Sequence, residues 1–255
     1  MRRILITNDD GIHSPGIHAL AEALAPLGEV IVVAPLTEAS AIGHALTLRR
    51  PLRIETFGPG RYAVDGTPTD CVNIALKVIL AGRSPDLVAS GINKGYNLGD
   101  DVTYSGTVSG ALEGALLGVP SIAVSLARST GQYDFRPAAA AAASVAGLVL
   151  RNGLPSRTFL SLNVPAGKPK GFRLTVQAKR NHVTIVDERC DPRGKAYYWI
   201  EEGENDWEPH DRSDFQAVRD GYVSVTPLQP DMTDHEALAA LETLALEKTS
   251  CDSPA

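Results

Sequence analysis

Short apolar runs alternate with longer segments of mixed polarity along most of the chain. Continuous apolar runs are typical of strands buried on both faces of a sheet, and they predict strands at Arg3–Thr7, Glu29–Ala34, Asp86–Ser90 and Ser121–Ser125. Further strands are predicted at Leu46–Thr56 and Arg61–Asp65. The intervening segments predict helices at Pro15–Leu27, Thr69–Leu80, Thr103–Gly118 and Pro137–Arg151. This alternation predicts an α/β fold with a doubly wound, mostly parallel sheet.

The pattern changes after about residue 157. The segments "TFLSLNVP" and "GFRLTVQA" predict strands, whereas the polar segment Asn181–Ser213 holds both tryptophans and predicts a hairpin excursion from the core. Gly221–Leu228 alternates as a strand with one exposed face does, and Thr233–Lys248 predicts an amphipathic C-terminal helix. We therefore expect an α/β core at 1–157, followed at 158–255 by the remaining strands, the hairpin extension (about 181–213) and the C-terminal helix. The boundary is soft, and we expect one structural domain.

Composition limits the cellular setting. The chain has 255 residues, 44% of them hydrophobic, which fits one large domain. Cys71, Cys190 and Cys251 form no CxxC pair, which favours a reducing compartment. The N-terminus lacks a signal-peptide pattern, and the apolar stretch Pro137–Leu150 is shorter than the roughly 20 residues that span a bilayer. We expect a cytoplasmic protein without a membrane partner.

Net charge argues against one class of partner. The chain carries a formal charge of −6 and has no basic block, so polymeric nucleic acid is not expected to bind. A small anionic substrate would need local positive charge, either from a metal ion or from helix N-termini.

Candidate chemistry lies just beyond the predicted strands, because ligands of open parallel sheets bind beyond the carboxyl ends of the strands. Three loops in these positions are rich in oxygen ligands and are expected to converge on one crevice. They carry Asn8, Asp9 and Asp10 after the first strand, Glu38, Ser40 and His44 after the second, and Asn93, Asn97, Asp100, Asp101, Ser105 and Thr107 after the Asp86–Ser90 strand.

The adjacent carboxylates of Asp9 and Asp10 are the most informative pair. At the end of a strand both can face one point, where a hard divalent cation such as Mg²⁺ or Mn²⁺ would stabilise them better than zinc would. The alternative is that one aspartate only caps a turn before the Pro15 helix, with Gly11 adopting a positive φ. Two aspartates at one strand end favour the metal.

The other loop residues are compatible with purely structural roles. Ser40 lies among small residues, and asparagines such as Asn93 and Asn97 often occupy turns. In "YSGT", the Ser105 hydroxyl and the N–H groups of Gly106 and Thr107 could hold a phosphate at a helix N-terminus, or Thr103 or Ser105 could be a simple N-cap. Glycine recurs every four residues from Gly106 to Gly118, which predicts close approach of this helix to the sheet.

Several familiar active-site motifs are missing from the sequence. There is no GxGxxG after the first strand, no GxxxxGK[ST] loop and no GxSxG elbow, so dinucleotide-binding, P-loop and serine-hydrolase functions are not indicated. The histidines form no HExxH-type ligand pair.

Long sequence blocks resemble the SurE (survival protein E) family. They are "ILITNDDGIHSPGI", "GTPTDCV", "SGINKGYNLGDDVTYSGTVSGALEG", "LNVP", "DPRG..YYWI" and "GYVSVTPL", and the resemblance runs nearly end to end. It implies a Rossmann-like core with a protruding β-hairpin and a C-terminal segment exchanged between subunits, hence a homodimer or homotetramer. It also implies one divalent metal ion, Mg²⁺ or Mn²⁺, held by Asp9, Asp10, Ser40 and Asn93.

The resemblance further implies a 5′- and 3′-nucleotidase. The substrates would be nucleoside monophosphates, with short polyphosphate as a further candidate, and the phosphate pocket would include Asn8, Asn97, Ser105, Gly106 and Thr107. The sequence departs from the family's usual pattern at Leu36, Ala41 and His44. These departures leave the expected ligands in place and bear on substrate preference.

The leading hypothesis is metal-assisted phosphomonoester hydrolysis, with Asp9 and Asp10 as catalytic residues and Asp10 assigned to the attacking water. A non-catalytic nucleotide-binding module is the alternative from another class, and it leaves the paired aspartates without a role. Another metal-dependent hydrolase, for example one that cleaves polyphosphate ends, is the third candidate.

Overall fold

A large central sheet organises the computed structural model, which describes residues 1–129, 131–181, 184–202 and 206–242. The strands in chain order are β1 (Arg3–Thr7), β2 (Glu29–Pro35), β3 (Ile54–Thr56), β4 (Arg61–Val64), β5 (Leu87–Lys94), β6 (Ser121–Leu126), β7 (Phe159–Val164), β8 (Phe172–Leu174), β9 (Arg180–Asn181), β10 (Thr184–Cys190), β11 (Ala196–Glu202), β12 (Asp206–Trp207) and β13 (Val223–Leu228). The helices are α1 (Pro15–Leu24), α2 (Pro68–Ile74), α3 (Gly106–Leu116), α4 (Arg136–Asn152), α5 (Asp214–Arg219) and α6 (His235–Glu242).

The central sheet has nine strands in the order β3-β4-β2-β1-β5-β6-β7-β13-β8. Pairing is parallel from β4 through β7, and it is antiparallel between β3 and β4 and between β7 and β13. The predicted mostly parallel α/β fold is therefore confirmed. Strands from the segment after residue 157, namely β7, β8 and β13, extend the same sheet.

Helices cover both faces of the sheet. On one face, Ile17 and Leu20 of α1 and Val145 of α4 pack with Ile4 and Ile6. On the other face, residues of α2 pack with Leu5, while α3 packs over β5 and β6. Successive residues of β1 thus enter opposite cores, which is why this strand is continuously apolar.

The glycines of α3 let this helix lie close to the sheet, as predicted. A Cβ added to Gly110 would lie 2.8 Å from both Ser90 Oγ and Thr7 Cγ2, closer than side chains tolerate. Gly118 differs, because it has φ +80° and follows the helix in the left-handed conformation that favours glycine.

The predicted strand Leu46–Thr56 is wrong for most of its length, since only Ile54–Thr56 pairs in the sheet. The preceding backbone bonds instead to acidic side chains: the Thr47 N–H donates to Asp70 Oδ1 (2.9 Å) and the Arg53 N–H to Asp65 Oδ1 (2.7 Å). Leu48 is 83% exposed, so its segment lacks the burial that the apolar pattern indicated.

Two predicted helices have different boundaries. Helix α2 begins at Pro68 with Thr67, not Thr69, as its N-cap, because Thr67 and Asp70 form a reciprocal capping box; beyond Ile74 the chain continues as a π-helical turn at Ala75–Ile79. Helix α3 begins at Gly106 because the chain first makes a 3₁₀ turn at Gly99–Thr103.

Strand β13 is more buried than its alternating sequence predicted. Val223–Thr226 is buried at every position, because β7 pairs with the strand on one side and β8 on the other and its polar side chains also lie in the interior. The buried Thr226 hydroxyl, for example, lies 2.8 Å from that of Thr175.

The predicted hairpin excursion is confirmed. Strands β10 and β11 form an antiparallel pair outside the central sheet, and β9 and β12 form a short antiparallel stem. Helix α6 occupies part of the predicted C-terminal helix, and residues 243–255 lie outside the described residues. None of the helices in the described part of the chain is long and apolar enough to cross a membrane.

Candidate active site

An open cleft of about 640 Å³ lies at the carboxyl ends of β1, β2, β5 and β6. These strand ends meet at one edge of the sheet, which is where ligands of parallel sheets bind. The cleft is lined by Asp9, Asp10, Glu38, Ser40, Ala41, Asn93, Lys94, Gly95, Tyr96, Asn97, Asp101, Tyr104, Ser105 and Arg128. The three loops singled out in the sequence therefore do converge.

Asp9 lies deep in the cleft, with 4% of its surface exposed. The Thr107 hydroxyl donates a hydrogen bond to Asp9 Oδ1. Gly106 leaves room for the carboxylate, because an added Cβ would lie 2.7 Å from Asp9 Cβ. Burial raises the pKa of Asp9 to about 6; the Thr107 hydrogen bond opposes this shift and the charge of Asp10 adds to it.

Asp10 is held more loosely beside it. Its Oδ1 lies 3.8 Å from Lys94 Nζ, and the Ser14 hydroxyl donates to its Oδ2 at 3.4 Å. Burial raises the pKa of Asp10; the positive charge of Lys94 lowers it and the negative charge of Glu38 raises it. Both carboxylates are thus disfavoured in their ionised form, which is the condition that a bound cation relieves.

Ser40 reaches the cleft on a loop that is fixed on both sides. Before it, the Ala39 N–H donates to the Asp9 carbonyl (2.8 Å), and after it the Gly43 N–H donates to the Tyr104 carbonyl (2.9 Å). The Ser40 hydroxyl donates to Glu38 Oε1 (2.7 Å). Ala41 has φ +54°, a left-handed conformation that is costly for alanine.

The same loop is anchored further along by buried polar groups. His44 Nε2 donates to Glu113 Oε2 (2.7 Å), and the other oxygen of this buried carboxylate accepts from Asn73 Nδ2 (2.7 Å). The Thr67 hydroxyl donates to the Ala45 carbonyl at 2.7 Å. A segment with little regular structure is therefore held against α2 and α3.

Asn93 lies near the end of β5 and Asn97 follows the strand, and both line the cleft. Asn93 Nδ2 donates to the Gly95 carbonyl (3.1 Å). The backbone of Asn97 is held by Asn163, whose Oδ1 accepts from the Asn97 N–H (2.8 Å) and whose Nδ2 donates to the Asn97 carbonyl (3.0 Å). Asn97 Nδ2 donates to Ser125 Oγ (2.7 Å), so the direction of the Asn97 amide is set by two neighbouring strands.

The start of α3 serves two roles that the sequence left open as alternatives. Ser105 lines the cleft and is also the N-cap, since its Oγ accepts from the Val108 N–H (3.1 Å). Thr103 does not cap α3, because its hydroxyl donates to the Asp100 carbonyl. Gly106 and Thr107 lie behind Asp9, where they support the carboxylate.

Asn8 lies beneath the cleft and does not line it. The residue is fully buried, and its Nδ2 donates to the Gly11 carbonyl (3.0 Å), which closes the turn after β1. Gly11 has φ +92°, as the sequence predicted for this turn. The side-chain oxygen of Asn8 has no hydrogen-bond partner among the described residues.

Sequence reasoning assigned no role to the cations and aromatic residues of the cleft. Lys94 lies within the recognised "SGINKGYN" block, and Tyr96 and Tyr104 flank the loop that leads to α3. Arg128 comes shortly after β6, so inspecting the residues at the end of every predicted strand would have found it.

The donor set suits a hard divalent cation. Two carboxylates, a hydroxyl and an amide oxygen can be supplied by Asp9, Asp10, Ser40 and Asn93, which all line the cleft. No group of three or more His, Cys, Asp and Glu side chains suited to a metal occurs within the described part of the chain. The set formed by Asp9, Asp10, Ser40 and Asn93 is a different kind of site, because it has only two carboxylates and takes its other donors from serine and asparagine.

The fold and the cleft together define a class: a doubly wound α/β protein with an oxygen-rich, carboxylate-containing site at the carboxyl edge of its sheet. The family model described as "Survival protein SurE" matches residues 4–184. The chain belongs to the SurE family.

Similar proteins agree over nearly the full length. The chain is 53% identical over 239 residues to the "5′-nucleotidase SurE" of Syntrophotalea carbinolica, which covers 93% of this chain and 95% of that protein. It is 52% identical over 242 residues to the protein of the same name from Geobacter sulfurreducens, covering 94% and 92%. The crystal structure of the SurE protein from Aquifex aeolicus matches with a TM-score of 0.85 and 45% identity, covering 95% of this chain and 99% of that one.

Proposed function

We propose that this chain is a divalent-metal-dependent phosphomonoesterase that removes the phosphate from nucleoside 5′-monophosphates. Relatives named 5′-nucleotidase share about half of its sequence over nearly their whole length. The observation that carries the proposal is the convergence of two carboxylates, one buried and one partly buried, with serine and asparagine oxygens in one cleft. An acidic protein can bind an anionic substrate there because a cation offsets the carboxylate charges.

The proposed metal ligands are Asp9, Asp10, Ser40 and Asn93. A bound divalent cation would polarise the phosphoryl oxygen and favour ionisation of water. Asp9 fits the role of a fixed ligand, since Thr107 and Gly106 hold its carboxylate in place.

Asp10 is proposed to orient the attacking water and accept its proton. Its carboxylate lines the cleft, and burial raises its pKa, which favours a proton acceptor. Because Lys94 Nζ lies close to Asp10 Oδ1, it restricts the directions from which a water molecule can approach this carboxylate.

Asn97 and Ser105 are proposed to hold the phosphoryl oxygens. The Asn97 amide is fixed by Asn163 and Ser125, so it requires little reorganisation when charge develops. The Ser105 hydroxyl accepts from Val108, which leaves its proton free to donate to a substrate oxygen. Asn8, Gly106 and Thr107 would support this pocket from behind.

Phosphate release from a panel of nucleoside monophosphates, with Mg²⁺, with Mn²⁺ and with EDTA, tests the proposal. We expect EDTA to abolish turnover and Asp10→Asn to lower kcat by roughly 10²-fold or more, as expected for the loss of a general base. Asp100→Asn is the matched control, because Asp100 is exposed and lies outside the cleft lining.

Wild-type turnover in Asp10→Asn would refute the role of Asp10. Nucleotide binding that persists in EDTA without phosphate release would instead support the non-catalytic binding module.

Several finer features are part of the same proposal. We infer that 3′-monophosphates and short polyphosphate are further substrates, which the same panel tests. Side chains of the hairpin, including Tyr198, Trp199 and Ile200, are exposed and apolar, which supports assembly into a homodimer or homotetramer. Light scattering of the full chain would measure that state. Within the described part of the chain, Cys71 and Cys190 are free thiols. We infer a cytoplasmic location.

A further inference from the structure

Arg128 brings a guanidinium group to the side of the cleft furthest from Ser40. Its position results from strand order: Ser40 comes after β2, Asp10 after β1, and Arg128 after β6, beyond β5. Neighbouring strands lie about 4.8 Å apart, so the ends of β1 and β6 are separated by about 10 Å.

The backbone around Arg128 is fixed although its side chain is exposed. The Gly95 N–H donates to the Leu126 carbonyl (2.9 Å), and the Ala127 N–H donates to the Val164 carbonyl (3.0 Å). Gly95 has φ +138° and no side chain, and Arg128 Nε lies 4.0 Å from where a Cβ would be. The Arg128 side chain therefore lies beside Gly95, which is between Asn93 and Asn97 in the chain.

The charges that line the cleft make Arg128 unusual. Four carboxylates line it, from Asp9, Asp10, Glu38 and Asp101, against the cations of Lys94 and Arg128. Lys94 already lies 3.8 Å from Asp10. Within the described part of the chain, the Arg128 side chain makes no hydrogen bond and no ion pair, so its guanidinium donors are unpaired at the edge of the cleft.

We propose that Arg128 is a specificity-determining residue that binds a second phosphate group when the substrate carries one. A guanidinium binds phosphate through two parallel hydrogen bonds, and a phosphate next to the scissile one would lie between the metal ligands and β6. This inference rests on the proposed function, which locates the scissile phosphate beside Asp9 and Asp10. It predicts preference for ligands with two phosphate groups over ligands with one.

Kinetics with three substrates tests this selectivity: a nucleoside 5′-monophosphate, a nucleoside 3′,5′-bisphosphate and inorganic tripolyphosphate. We expect Arg128→Gln to raise KM for at least one of the last two about tenfold more than KM for the monophosphate, since one charged hydrogen bond has this value. The affected substrate identifies the source of the second phosphate. For the affected substrate, the KM of Arg128→Lys should lie between the KM values of wild type and Arg128→Gln, because lysine keeps the charge but lacks the planar guanidinium.

Arg151→Gln is the matched control, because Arg151 is exposed at the end of α4 and its loss changes net charge equally. An equal rise of KM for all three substrates in Arg128→Gln would overturn the proposal, since it would indicate contact with the scissile phosphate or a general field effect. No rise for any of them would overturn it as well.

Equilibrium binding separates this proposal from the proposed activity. Two ligands that resist hydrolysis can be titrated by calorimetry at a fixed free Mg²⁺ concentration. Methylenediphosphonate carries two phosphonate groups, and methylphosphonate carries one. The affinity for methylenediphosphonate relative to that for methylphosphonate should fall about tenfold in Arg128→Gln. A fall in the ratio supports the Arg128 assignment even if no nucleotide is hydrolysed, whereas an unchanged ratio in an active phosphatase overturns it.

Discussion

Asp9→Asn should make the metal-free protein more stable at neutral pH, although it removes a proposed metal ligand. The Asp9 carboxylate is 4% exposed, and burial raises its pKa from 3.8 to about 6. Because the pKa is higher in the folded chain, the stabilising contribution of the protonated group is complete below the unfolded value and is lost as the pH rises through about 6. At 1.36 kcal/mol per pKa unit, ionised Asp9 lowers the free energy of unfolding by about 3 kcal/mol.

The asparagine side chain keeps the shape of this group without its charge. Its Oδ1 can still accept the hydrogen bond from the Thr107 hydroxyl. Burying the amide has a cost of its own, so the net gain should be about 1–2 kcal/mol in the neutral and alkaline range. For a domain of this size, that corresponds to a rise in Tm of about 2–8 °C.

Thermal unfolding followed by circular dichroism in EDTA, between about pH 4 and pH 8, measures the effect. The gap in Tm between Asp9→Asn and wild type should open as the pH rises through about 6. Asp211→Asn provides the control, since Asp211 is exposed and its loss changes the net charge by the same amount. Adding Mn²⁺ should then raise the Tm of wild type and not that of Asp9→Asn.

Two outcomes would refute this reasoning. If Asp9→Asn in EDTA is no more stable than wild type at about pH 8, burial does not destabilise the ionised carboxylate. If the gap in Tm is the same at every pH, the stabilisation comes from something other than ionisation of Asp9.

Two further variants test the anchors of the site. His44→Ala should weaken the affinity for Mn²⁺ several-fold, measured by titration, because the loop that carries Ser40 loses its bond to Glu113; His44→Gln, which keeps a donor, should restore most of it. Asn163→Ala removes both hydrogen bonds to the Asn97 backbone, so the free energy of unfolding in urea should fall by roughly 1–3 kcal/mol, and KM should rise.

The location of the site was predictable from the sequence because it depends on a property of all parallel sheets. Polar residues that come after buried strands meet at one edge, so Asp9, Asp10, Ser40 and Asn93 line one cleft without any strand order having to be known. The same rule extends to Arg128 after β6. The adjacent aspartates gave the strongest signal, because a strand end allows both to face the cleft.

Boundaries were less predictable because they depend on partners that are distant in the sequence. The segment from Leu46 to Arg53 was predicted to be part of a strand, but the acidic side chains of Asp65 and Asp70 take hydrogen bonds that a neighbouring strand would otherwise provide. In β13, Ser224 and Thr226 are as polar as residues on an exposed face, yet β7 and β8 enclose them. Neither arrangement can be seen in local periodicity.

The supporting residues were hidden for a related reason. Asn163 lies in an ordinary buried strand and Glu113 on a buried helix face, so their roles emerge only from their contacts with Asn97 and His44. These contacts also predict opposite signs of stability change within one site. Removing the buried charge of Asp9 should stabilise the metal-free fold while lowering activity. Removing a supporting residue such as Asn163 should lower both the stability and the activity. A variant series that separates these two groups would therefore distinguish residues that perform the chemistry from residues that hold them in place.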